Sequence, residues 1–88
     1  MINAVTKLRG QALKIARKNK KISLRDMADL VSKKLGRELS YGSIRRYEEG
    51  SACDMDTLFA ICEILDLDAI QLLDECTKKA KEEYDLKQ

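Results

Sequence analysis

Eighty-eight residues suffice for one domain with a modest core, and a chain with no Pro, no Trp and one Phe has to build that core from aliphatic side chains. The many Lys, Glu, Ala and Leu residues at helical spacing make an all-α fold the expectation. The absence of His, and three cysteines (Cys53, Cys62, Cys76) without CxxC spacing, call for no metal, no cofactor and no disulfide scaffold. The net charge is only +2, no apolar run nears the roughly 18 residues of a membrane span and no secretory signal opens the chain, so a cytoplasmic protein with no membrane partner is expected.

The first helix is expected from Val5 to about Lys18, with Val5, Leu8, Ala12, Leu13, Ile15 and Ala16 along one face. Gly10 weakens it, and the basic residues at its end complement the C-terminal dipole. After NKKI turns the chain, Ser23-Leu-Arg-Asp26 reads as a capping box, and Leu24, Met27, Ala28, Val31 and Leu35 form the stripe of a second helix ended by Gly36. The third helix starts at Ser40, with Leu39 and Ile44 as a hydrophobic staple, and stops at Gly50. Only Ile44 and Tyr47 point inward along it, which leaves Tyr41, Gly42, Ser43, Arg45 and Arg46 outside. Asp54 or Asp56 caps a fourth helix with the densest apolar stripe: Met55, Leu58, Phe59, Ile61, Cys62 and Leu65. A fifth starts at Asp68, with Leu67 and Leu72 as a staple, and its pattern extends past Cys76. Ile70, Leu73, Thr77, Ala80 and Tyr84 along it make a short heptad-like seam suited to a second subunit. Residues 1–76 read as one domain and 77–88 as a helical extension or tail.

Charge is segregated along the chain. Residues 1–21 carry Lys7, Arg9, Lys14, Arg17, Lys18, Lys20 and Lys21 and no acid, whereas residues 51–75 carry seven acids and no Lys or Arg. Such polarity suits a protein that turns one end toward a polyanion. The third helix is equally suggestive. Two inward residues bury little area at roughly 25 cal/mol per Å². Its outward face carries two guanidiniums, a phenol and a hydroxyl, the groups that read base edges and phosphates. The carboxylates sit mostly at helix starts, where capping accounts for them, and nothing supports an enzyme.

ISLRDMA, SYGSIRRYEEG and MDTLFAICEILDLD, in this order and spacing, resemble the lambda-repressor-like helix-turn-helix domain of the Cro/XRE regulators over about residues 8–75. The resemblance implies a five-helix bundle whose second and third helices form the helix-turn-helix. It implies that Tyr41, Gly42, Ser43 and Arg46 enter the major groove of double-stranded DNA, with Arg45 reaching a base or a flanking phosphate. It further implies that Ser23 and Ser40 hold phosphates at helix N-termini, that Arg17 and Glu48 form a structural ion pair fixing the third helix, and that the protein is a homodimer on a pseudo-palindromic operator. Lys18, Lys20, Lys21 and Arg25 are further candidate phosphate contacts. Three departures stand out: Leu24 replaces a polar residue, SACD after Gly50 offers no cation, and the stretch from Ala28 to Ile44 is about six residues longer than usual. The longer turn offers Lys33, Lys34 and Arg37 as replacement phosphate contacts. Repression by operator occupancy is the simplest mechanism for such a chain. The alternative is an antitoxin-like or adaptor module that turns the same face to a protein partner.

Overall fold

The computed structural model describes residues 4–86, which form five α-helices: α1 (Ala4–Asn19), α2 (Leu24–Leu35), α3 (Tyr41–Glu48), α4 (Met55–Ile64) and α5 (Ala69–Leu86). The first four end alike, each followed by one residue in the left-handed region: Lys21 at φ 59°, Gly36 at 70°, Gly50 at 112° and Asp66 at 58°. Beyond that residue the chain turns back to pair with the helix it has left. Ile22 N donates to Arg17 O at 3.2 Å, Arg37 N to Ser32 O at 3.3 Å, Ser51 N to Arg46 O at 3.0 Å and Leu67 N to Cys62 O at 2.8 Å. These bonds satisfy carbonyls that a helix end otherwise leaves without partners. The glycines at two of these ends are visible in the sequence, but Lys21 and Asp66 are left-handed residues that composition does not announce.

Helix starts follow the expected caps with two amendments. Ser23 Oγ accepts the Asp26 amide at 3.0 Å, without the return bond of a full capping box. Asp68 accepts the amides of Ile70 and Gln71 at 3.0 and 3.1 Å. Asp54 stands at the N-cap of α4, where its carboxylate takes the hydroxyl of Thr57.

The core joins Leu13 of α1, Met27 and Val31 of α2, Ile44 of α3 and Leu58, Ile61 and Cys62 of α4. Burial pushes the Cys62 thiol up to about 11. α1 packs on α3 and α5, and α2 on α3 and α4. The inward arc of α1 differs from the apolar face expected: it is Thr6, Arg9, Gly10, Leu13 and Arg17. The apolar Val5, Leu8, Ala12 and Ala16 flank this arc, and Ile15 is 61% exposed. Gly10 explains the rotation. A Cβ there would lie 2.5 Å from Tyr47 O and 2.6 Å from Glu48 O, so α1 and α3 touch backbone to backbone. The glycine expected merely to weaken α1 is the residue that lets α3 dock on it. On α4, Met55 and Phe59 also lie outside the core, 46% and 45% exposed, because Thr57, Leu58, Ala60, Ile61 and Cys62 already occupy its inward arc. Among the described residues, no helix is long and apolar enough to cross a membrane.

Candidate nucleic-acid interface

Only Ile44 and Glu48 of the eight-residue α3 are buried, and Tyr47 packs half-buried against the core. Glu48 meets Arg17 in a two-pronged pair, Nε to Oε2 at 2.7 Å and Nη2 to Oε1 at 3.1 Å, both residues being more than nine-tenths buried. Arg17 Nη1 also donates to Ile22 O at 2.7 Å. One guanidinium thus ties the last turn of α3 to α1 and to the turn that leads into α2. A pair desolvated this completely holds only because its geometry and its extra hydrogen bond are good.

The rest of α3 faces solvent. Tyr41, Arg45 and Arg46 are exposed, and Gly42 and Ser43 are partly so. Ser40 caps the helix, its Oγ accepting the Ser43 amide at 3.3 Å and lying 3.2 Å from Ser43 Oγ. Arg46 Nη2 donates to Ser43 Oγ at 3.0 Å, and Arg45 Nε to Glu49 Oε1 at 2.9 Å. From the first turn of α2, Arg25 lays its guanidinium over the Tyr41 ring, 5.3 Å from the centroid. This contact joins the two helices at the outward face, beside Leu24, which is partly buried against the core. Gly42 is not demanded by packing, since a Cβ there would make only ordinary contacts, 3.7 Å from Ser40 Oγ and 3.8 Å from Arg46 Nη1.

The expected phosphate-contacting cations divide into two groups. Lys18, Lys21, Arg25 and Lys33 are exposed and form no ion pair among the described residues. Lys20, Lys34 and Arg37 are turned toward acids of the 51–75 segment: Lys20 Nζ to Asp66 at 2.7 Å, Lys34 Nζ to Glu63 at 3.0 Å, and Arg37 Nη2 to Asp54 at 3.3 Å and to Thr57 Oγ1 at 2.9 Å. The Thr57 hydroxyl, helped by Arg37, holds the Asp54 carboxyl below its ordinary value, and Lys20 does the same to Asp66. The longer connection between α2 and α3 is pinned at both ends. Arg37 braces it on the start of α4, and Ser32 Oγ accepts from Leu39 N at 2.8 Å and donates to Leu39 O at 3.2 Å. Sequence reasoning missed Ser32, Thr57 and the packing role of Gly10. Their partners lie between three and 38 positions away, and only the Asp54–Thr57 spacing, that of a cap, is a local signal.

Two helices joined by a turn, the second held by its last turn and displaying its first, define a helix-turn-helix module. The family model described as helix-turn-helix matches residues 13–72, and the chain belongs to that family in its Cro/C1 branch. The same fold recurs in the clp gene regulator ClgR from Corynebacterium glutamicum, with a TM-score of 0.72 and 20% identity over 94% of this chain and 83% of that one. No curated protein matches the sequence.

Proposed function

We propose that the protein is a sequence-specific regulator of transcription that reads double-stranded DNA with α3 and represses by occupying its operator in the cytoplasm. The observation that carries this reading is the outward face of α3. Tyr41, Ser43, Arg45 and Arg46 contribute almost nothing to the core, yet capping, an intrahelical ion pair and the Arg25 stack hold them in order. An arginine so placed can grip guanine O6 and N7 together, for roughly 1–3 kcal/mol of discrimination. Ser23 and Ser40 present helix N-termini, and Lys18, Lys21, Arg25 and Lys33 supply unpaired cations for the phosphates. Lys20, Lys34 and Arg37 are weaker candidates in this reading, since phosphates would have to compete with carboxylates for them.

A homodimer completes the proposal. Of the eight large apolar side chains left exposed among the described residues, five stand on α4 and α5: Met55, Phe59, Ile70, Tyr84 and Leu86. A second copy seated there would present two α3 helices to a pseudo-palindrome, at the spacing of about 34 Å that one turn of duplex requires.

Selection from a random duplex pool, run on the native protein and on Arg46→Ala, tests the reading. A pseudo-palindromic motif that relaxes at one position of each half-site in the variant is the expected result. Binding without any enriched motif, lost between about 50 and 200 mM salt, would leave only non-specific attraction and turn attention to a protein partner.

A further inference from the structure

Arg46 projects back along α3 rather than straight into solvent. Its Nη2 reaches Ser43 Oγ at 3.0 Å, and its Nη1 lies 3.8 Å from the place a Cβ of residue 42 would take. Ser43 Oγ is itself held, 3.2 Å from Ser40 Oγ, and Ser40 is fixed in turn as the N-cap that accepts the Ser43 amide. Long side chains on a helix lean toward its N-terminus. Here that lean runs past a glycine and ends on a hydroxyl. A flexible arginine loses rotamer entropy whenever it is fixed against a base.

We propose that Ser40 and Ser43 form a cradle that preorganises Arg46, so that Ser43 acts as a positioning residue for the arginine rather than as a reader of its own base. This rests on the reading of α3 as the DNA-contacting helix and deepens it. The chemistry assigns distinct roles. Ser43 Oγ accepts the bond from Arg46 and, through its single proton, can donate to Ser40 Oγ, which spends its hydroxyl within the protein. Arg46 keeps Nε–H, both protons of Nη1 and one of Nη2 for a target, enough for a two-pronged grip on the O6 and N7 of a guanine. Specificity at one base pair of each half-site therefore depends on three residues, of which one touches the base.

Dissociation constants measured on the selected duplex, and on the same duplex with the pair read by Arg46 replaced, test the proposal with the full chain. Arg46→Ala identifies that pair by losing roughly tenfold of discrimination at it. Ser43→Ala is expected to lose about threefold to tenfold of discrimination at the same pair and to leave the other positions unchanged. Ser43→Thr, which keeps the hydroxyl, is expected to restore it. Thermal unfolding of each variant separates this pattern from a general loss of structure, which would lower affinity at every position alike. Ser43→Ala with unaltered discrimination, or with a loss at a different pair, overturns the cradle and leaves α3 as the reader. A native protein that enriches no motif overturns both.

Discussion

Two glycines show how the same residue type serves unlike ends. Gly10→Ala would force a methyl to within 2.6 Å of two backbone oxygens of α3, and overpacking of this kind costs about 1–3 kcal/mol. The expected result is a lower melting temperature, with weakened DNA binding as a consequence of a displaced α3. Gly42→Ala meets only ordinary contacts, so helix propensity should raise stability by up to about 1 kcal/mol. Affinity for the operator should fall all the same, because the added methyl stands on the face that approaches the groove. Thermal melts paired with DNA titrations separate the two cases, and a Gly42→Ala variant that both melts higher and binds as well would remove Gly42 from the interface. Titration acts at this scale too. Asp54 and Asp66 titrate below the ordinary carboxylate value of about 3.9, so their bonds are at full strength above that pH and are lost as pH falls through the lower folded values. Cys62, raised from 9.0 to about 11, stays neutral in the fold while the unfolded thiol ionises, so its contribution fades as pH rises through that interval. Urea midpoints followed from pH 3 to 11 should therefore be flat in the middle and fall at both ends, and Asp66→Asn should shrink the acid-side fall.

The helices themselves were legible in the sequence because what starts and stops them is local. Ser23, Ser40 and Asp68 cap the helices the pattern predicts, and Gly36 and Gly50 end them. The inward arc of α1 was not legible. It is chosen by α3, and a glycine, a threonine and two arginines are not what hydrophobic periodicity looks for. The connection between α2 and α3 is similar: its added length is plain in the sequence, but the Ser32–Leu39 pin and the Arg37 brace are not. Ser32→Ala would leave the buried Leu39 without the side-chain partner of its amide, at a cost of about 1–3 kcal/mol. Faster hydrogen exchange at Leu39, with stability reduced by that amount, is the expected outcome. Unchanged exchange would mean that the connection is held by Arg37 alone. At the end of α1, Lys21 adopts a conformation that disfavours a side chain by roughly 1–2 kcal/mol. Lys21→Gly should raise the unfolding free energy measured in urea by a net ~0.5–1 kcal/mol, the remainder being offset by the greater freedom of glycine in the unfolded chain.

Across the whole molecule, the polarity of charge so marked in the sequence is partly undone in space. Lys20 of the basic segment folds against Asp66, while Lys34 at the end of α2 and Arg37 just beyond it fold against Glu63 and Asp54, so the acidic segment meets cations within the fold as well as facing away from others. Exposed pairs of this kind contribute little individually, and the cations left over define the charged face more narrowly than their number suggests. The boundary read after residue 76 falls within α5, which runs unbroken to Leu86 over about 27 Å. Cys76 is its last buried residue. A chain cut after Cys76 should therefore keep most of its core yet lose Thr77, Ala80 and Tyr84 from the heptad-like seam. Sedimentation over a concentration series should show weaker self-association, and an unchanged profile would take the end of α5 out of the subunit contact. The Arg17–Glu48 pair and the Gly10 contact both hold the end of α3, while the side chains along its outward face are spared from the core. Mutations at Tyr41, Arg45 or Arg46 can accumulate in a lineage without endangering the fold, so the operator a descendant recognises can drift while the scaffold is inherited intact.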